Sequence, residues 1–131
     1  QEFISGPEIS VDGWMDKFNI PRSIVLRKRN FVSEGESKIS TVFFDKKLEK
    51  YFLNYFFKLK LNNHAMLQAK IIKKKLKIIE CNPRIGGAST LSIKSGLDSF
   101  YWSLLEKLNR KIKLSKIKKI KQFRIPFDIY N

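Results

Sequence analysis

The sequence predicts an α+β domain in which an antiparallel sheet is backed by two helices. The chain has 131 residues, enough for one core and too few for two conventional domains, so residues 1–131 are expected to form a single domain. Short runs of alternating apolar residues are separated by turn residues, and two longer runs repeat apolar positions every three or four residues. Hydrophobic residues make up 43% and charged residues 30%. That balance supplies enough apolar surface for packing and excludes disorder as the main state.

The elements follow in order. Residues 2–15 predict two short strands, Glu2 to Ser5 and Ile9 to Met15, turned by Ser5-Gly6-Pro7 and broken again at Asp12-Gly13. Ser23 to Leu26 predicts a strand that runs through Arg27-Lys28-Arg29 into a polar loop at Ser33 to Ser37. From Asp45 to Leu59, Leu48, Phe52, Tyr55, Phe56 and Leu59 recur at helical spacing, with Asp45 placed as an N-cap. Met66 to Ile72 and Leu76 to Cys81 predict a hairpin around Lys73-Lys74-Lys75. A second helix is expected from about Ser92 or Gly96 to Leu108, its stripe of Leu97, Phe100, Tyr101, Leu104, Leu105 and Leu108 packed on the sheet. The loose alternation of residues 117–130 predicts a closing strand with a basic outer face.

Lys and Arg total 27 against 12 Asp and Glu, a net charge of +15, which attracts anions without choosing among them. One cysteine, Cys81, cannot form an internal disulfide, so the chain is expected to be cytoplasmic. Apolar stretches fall short of the ~20 residues that a bilayer requires, and no signal-peptide pattern opens the chain. No membrane association is expected. Gln1 lies inside an expected strand, which leads to the expectation of a segment upstream.

Chemistry concentrates in Gln68 to Gly87. Glu80 and Asn82 are two apart, so on a strand their side chains leave one face. If Lys73-Lys74-Lys75 is a three-residue loop, Ile72 pairs with Leu76, Lys70 with Ile78 and Gln68 with Glu80. A loop one residue shorter or longer would turn Gln68 to the other face. A carboxylate with amide oxygens, and no histidine or thiol pair, suits Mg²⁺ shared with phosphate. Arg84 adds a forked donor for a phosphoryl group, and Gly86, Gly87, Ser89 and Thr90 permit close approach of a substrate. A Glu and an Asn before a proline are equally what a solvated strand exit contains.

The segments QEFISGPEISVDG and HAMLQAKIIKKKLKIIECNPRIGGASTLSIKSGLD resemble the ATP-grasp superfamily, in its carbamoyl phosphate synthase-like and carboxylate-amine ligase branches. The resemblance covers nearly the whole chain as the C-terminal lobe of an ATP-grasp domain, and its E-x-N-P-R-x-G-G element is specific. It implies ATP with Mg²⁺ or Mn²⁺ as cofactors, Gln68, Glu80 and Asn82 as metal ligands, and Arg84 as the catalytic residue on the γ-phosphate or acylphosphate. Glu2, Phe3 and Ile4 match the segment that meets the adenine edge, and Glu8 matches the acidic residue placed on the ribose hydroxyls. The implied activity is activation of a small-molecule carboxylate as an acylphosphate, attacked by an amine or other nucleophile. A lobe carrying the phosphate-binding lysine should precede residue 1, in cis or in trans, so the chain alone is expected to be inactive.

Other candidates carry less. Arg22, Arg27 and Arg29 precede a glycine loop and could approach phosphates, and of these Arg29 is taken as nucleotide-binding. His64 is expected to pack or lie at the surface, and Cys81 to be a small core residue. The stripe of Phe52, Tyr55 and Phe56 with Phe100, Tyr101 and Trp102 reads as core. From Lys107 to Arg124 there are nine basic and no acidic residues. The rival function is therefore a nucleic-acid-binding module using residues 107–124, although no nucleic-acid motif accompanies that run.

Overall fold

The computed structural model describes residues 5–73 and 75–125. Six strands form one antiparallel sheet, β1 (Glu8–Met15), β2 (Pro21–Ser33), β3 (Glu36–Phe43), β4 (Asn63–Ile72), β5 (Lys75–Asn82) and β6 (Lys121–Phe123). Their spatial order is β5-β4-β1-β2-β3-β6. The helices are α1 (Lys46–Leu59), α2 (Thr90–Ser95) and α3 (Ser99–Lys107). The predicted α+β class with an antiparallel sheet is borne out. The first expected strand lies outside the described residues except for Ser5.

Both faces of the sheet are covered, because alternate residues of the central strand β1 serve two cores. Ile9, Val11 and Met15 pack with Leu26, Leu67 and the α1 residues Phe52 and Phe56. Trp14 points the other way and packs with Val25, Val42, Leu91, Leu97 and Trp102. Each such burial contributes about 1.5–3 kcal/mol. The expected break at Asp12-Gly13 does not occur. A Cβ on Gly13 would sit 2.7 Å from the Phe56 ring, so glycine lets α1 lie close on the strand.

Asp45 caps α1 as expected, its Oδ1 accepting from the backbone N–H of Lys47 and Leu48 at 2.9 and 3.1 Å. The polar loop expected at 33–37 is instead a tight turn at Glu34 and Gly35, both at positive φ, and β3 follows it unforeseen. Two inward positions of β3 are Ser37 and Ser40, whose hydroxyls bond each other at 2.7 Å, so the strand lacks a full apolar alternation. Of the two expected starts of the second helix, the one near Gly96 matches α3, and the one at Ser92 falls in a separate helix, α2. Gly96, at φ +126°, ends α2, and α3 starts in a new phase that buries Ser99 and Trp102. Phe100, Tyr101, Leu104 and Leu108 are therefore exposed, against the expected packing of that stripe. The closing strand is reduced, within the described residues, to β6, paired with β3, while Ile112, Ile117 and Ile120 pack against the second core.

A buried polar cluster joins these layers. Arg27 Nε donates to Asp12 Oδ2 at 2.7 Å, and both side chains are fully buried. Ser92 Oγ donates to Asp12 Oδ2 at 2.6 Å, Ser89 Oγ donates to Oδ1, and His64 Nε2 meets Oδ1 at 3.2 Å. His64 Nδ1 lies 2.9 Å from the Ser99 hydroxyl. The packing role expected of His64 is thus its role here, with a polar partner on each nitrogen. Burial alone would raise the Asp12 carboxyl, but Arg27, His64 and Ser89 outweigh it and hold the group well below the usual carboxylate range.

A depressed native pKa gives stability that is present above the unfolded value, near 3.8, and is lost as pH falls through the lowered native value. Asp12→Asn should cost about 3–5 kcal/mol at neutral pH, because Arg27 is left buried without its counter-charge. Urea unfolding should show the wild type losing that advantage in strong acid. A difference that is small at pH 7, or that grows on acidification, would contradict this account.

Candidate functional site

The β4–β5 hairpin places three of the expected site residues. Its turn is one residue shorter than expected, so Ile72 pairs with Lys75, Lys70 with Lys77 and Ala69 with Ile78. A regular ladder would then set Gln68 opposite Ile79 and turn Glu80 to the α1 face. Instead the register shifts between Gln68 and Ala69, and Gln68 pairs with Glu80 and Met66 with Asn82. Ile79 is the extra residue of a β-bulge. The bulge cancels the short turn, so the expected Gln68–Glu80 pairing holds although the expected register nearer the turn does not.

These residues continue a polar row across the sheet, since Gln68 pairs with Ser10 and Ser10 with Arg27. Gln68, Glu80, Asn82 and Arg84 all line a cavity of about 180 Å³. Asn82 Nδ2 donates to Glu80 Oε1 at 2.8 Å, which sets the two side chains side by side. Glu80 and Arg84 are exposed, and the one side-chain bond of Arg84 among the described residues, to the Ile85 carbonyl, is long at 3.3 Å. The guanidinium thus stays available to a ligand.

Arg29 also lines the cavity. Its Nη1 donates to Gln68 Oε1 at 2.8 Å and to Glu8, and its Nη2 donates to the Gly35 carbonyl at 2.7 Å. The arginine thereby orients Gln68. Glu8 engages Arg29 and stands outside the cavity wall. Glu2, Phe3 and Ile4 lie outside the described residues. Cys81 is exposed, contrary to the core position expected, because β5 is an edge strand. Its partial burial still pushes the thiol pKa up.

The loop that carries Arg84 is tied to the buried cluster. Gly86 N–H donates to Ser89 Oγ at 3.0 Å, and Ser89 in turn donates to Asp12. A Cβ on Gly86 would lie 2.7 Å from Met66 Sδ, so any larger residue there would make the Met66 side chain move for the loop to rest on β4. Two further arginines line the cavity: Arg27, which the sequence offered beside Arg29 as an approach to phosphates, and Arg124, which it did not. The two-residue spacing of Arg27 and Arg29 could have signalled a shared face. Arg124 carried no such signal, because it reaches the cavity only through the pairing of β6 with β3.

One carboxylate and two amide groups are oxygen donors of the kind a hard cation takes; among the described residues no group of three His, Cys, Asp or Glu stands close enough to hold a metal ion. Among those residues no helix is long and apolar enough to cross a membrane.

Solved structures share the fold. The phosphoribosylaminoimidazole carboxylase ATPase subunit from Aquifex aeolicus superposes with a TM-score of 0.75 at 18% identity, over 95% of this chain and 42% of that one. The Campylobacter jejuni biotin carboxylase, solved as a β-γ-ATP complex, gives 0.67 at 14% identity, over 86% and 28% of the two chains. The Kluyveromyces lactis urea carboxylase gives 0.65 at 12% identity, over 86% of this chain and 11% of that chain. The chain therefore spans less than half the length of each. Comparison with curated proteins gives no match in sequence. The model of the family described as "ATP-grasp in the biosynthetic pathway with Ter operon" matches residues 1–126, nearly the whole sequence, and by that match the chain belongs to this ATP-grasp family.

Proposed function

We propose that the chain is the metal-bearing C-terminal lobe of an ATP-grasp ligase that activates a small-molecule carboxylate as an acylphosphate, for attack by an amine or other nucleophile. The observation that carries this reading is the convergence of Gln68, Glu80, Asn82 and Arg84 on one cavity. Glu80, Asn82 and Gln68 would hold Mg²⁺ or Mn²⁺, which when bound offsets the charge of the ATP phosphates. Arg84 presents a planar fork to the transferred phosphoryl group, a geometry that lysine lacks. Arg29 fixes the Gln68 amide, and Glu8 partly neutralises Arg29 so that its charge does not oppose a cation nearby. Phosphoryl transfer asks a protein for positioning and charge neutralisation above all. A second lobe, in cis or in trans, would supply the remaining phosphate donors.

The nucleic-acid reading draws support from charge alone. Three isoleucines of residues 107–124 are spent on the core, and Arg124 turns into the cavity.

Two outcomes follow. In the assembled ligase, Glu80→Ala should remove most turnover, because losing an anionic metal ligand costs several kcal/mol of transition-state stabilisation. Steady-state rates within about threefold of the wild type would refute the role of Glu80. Calorimetry of the 131-residue chain with Mg²⁺-ATP should show weak binding or none, since a charge pair at 4 Å in water is worth only ~1 kcal/mol. Saturable binding on the order of −8 kcal/mol would mean that the site is complete within this chain.

A further inference from the structure

We propose that a second cleft, at the far end of β1 from Glu80, is a binding site for a small aromatic carboxylate. The cleft has a volume of about 460 Å³, within the roughly 300–1,000 Å³ of small-molecule sites, and shares no residue with the cavity at Glu80. Trp14, in its wall, lies four residues along β1 from Ser10, roughly 13 Å at strand rise.

The turn that joins β1 to β2 builds one side. Asp16 Oδ1 accepts from the backbone N–H of Phe18 at 2.9 Å and of Ile20 at 3.0 Å. Asp16 Oδ2 accepts from Arg22 Nε at 2.6 Å, and Glu106 Oε1 accepts from Lys17 N–H at 2.9 Å, which ties the turn to α3. These bonds hold Phe18 at the cleft with 67% of its surface exposed. The backbone that carries this aromatic is fixed by the turn, so part of the ordering cost is met before any ligand arrives.

The spare hydrogen-bonding capacity of the wall decides the ligand's chemistry. Both Asp16 oxygens are engaged, and one Glu106 oxygen is taken. Burial would raise the Asp16 carboxyl, but bonds from Ile20, Arg22 and Phe18 more than offset this and keep it ionised. Trp14 is buried, with its indole N–H spent on Ser103 Oγ at 3.0 Å, so it closes the base of the cleft, and the apolar surface that a ligand meets is that of Phe18 and Leu114. Donors remain. Arg22 uses only Nε, Arg110 has no side-chain partner among the described residues, and Lys17 Nζ lies 5.4 Å from the centre of the Phe18 ring. A ligand that completes this wall brings acceptors and negative charge at one end and a flat apolar body for Phe18 and Leu114 at the other.

Proton–nitrogen NMR of the 131-residue chain tests this, with 2-naphthoate as probe and 2-naphthamide and inorganic phosphate as controls. Trp14 and Trp102 are the only tryptophans, so the Trp14 indole N–H is a resolvable reporter. Naphthoate should shift that signal and the Phe18 and Arg110 amides saturably, leaving Gln68 and Glu80 unmoved. Naphthamide, without the charge, should bind at least about tenfold more weakly, and phosphate should not saturate. Phe18→Ala and Arg110→Ala, at exposed positions, should each weaken naphthoate severalfold with an unchanged melting temperature. No saturation by naphthoate at several millimolar, equal binding of naphthamide, saturation by phosphate, unweakened variants, or shifts centred on Glu80 would each overturn the proposal.

Discussion

Side chains alternate along a β-strand, so a displacement of one residue in the pairing of β4 and β5 carries every donor of β5 through the sheet. The short turn after Ile72 makes that displacement, and left alone it would set Glu80 opposite Leu67, under α1. The extra residue Ile79 makes a second displacement that cancels the first. Gln68, Glu80 and Asn82 face the cleft because two irregularities of the same hairpin compensate. Bulges recur beside active sites for this reason: they re-aim side chains without altering the rest of the ladder.

Re-aiming these side chains is useful only if the loop after them is fixed as well. Arg84 stands in an exposed segment with few bonds of its own, and the order of that segment comes from beneath it. Gly86 bonds to Ser89, and Ser89 bonds to an aspartate that is fully buried against Arg27. A buried ion pair is weak as a source of net stability, since desolvation offsets much of its attraction. Its value here is geometric. One carboxylate receives Arg27, Ser89, Ser92 and His64 at once, and so fixes two strands and the start of α2 relative to β1. The outer groups can then remain exposed, where a ligand can reach them.

Much of this was legible in the residues themselves. The spacing of Phe52 and Phe56 and the Asp45 cap identify α1, and the element from Glu80 to Gly87 carries the resemblance to the family. What escaped the sequence has physical causes. β3 presents serines to the interior, so its alternation is muted until Ser37 and Ser40 are seen to satisfy each other. Gly13 resembles a breaker, but it answers to the Phe56 ring packed on it. Gly96 resets the phase of the second helical segment, and a stripe that reads as buried emerges exposed. The buried cluster around Asp12 joins residues as far apart as Asp12 and Ser92, and no local pattern announces a partner at such a distance. The bulge is the sharpest instance: pairing Gln68 with Glu80 gives the observed neighbour, though the route through a three-residue turn is not the one the chain takes.

The pairing of β4 with β5 is open to direct measurement through cross-strand nuclear Overhauser effects in the 131-residue chain. The account predicts contacts that place Lys70 opposite Lys77 and Gln68 opposite Glu80 in the same molecule, which only an extra residue at Ile79 permits. Contacts placing Gln68 opposite Ile79 and Leu67 opposite Glu80 would contradict it, because Glu80 would then lie under α1 and the proposed metal site would not form.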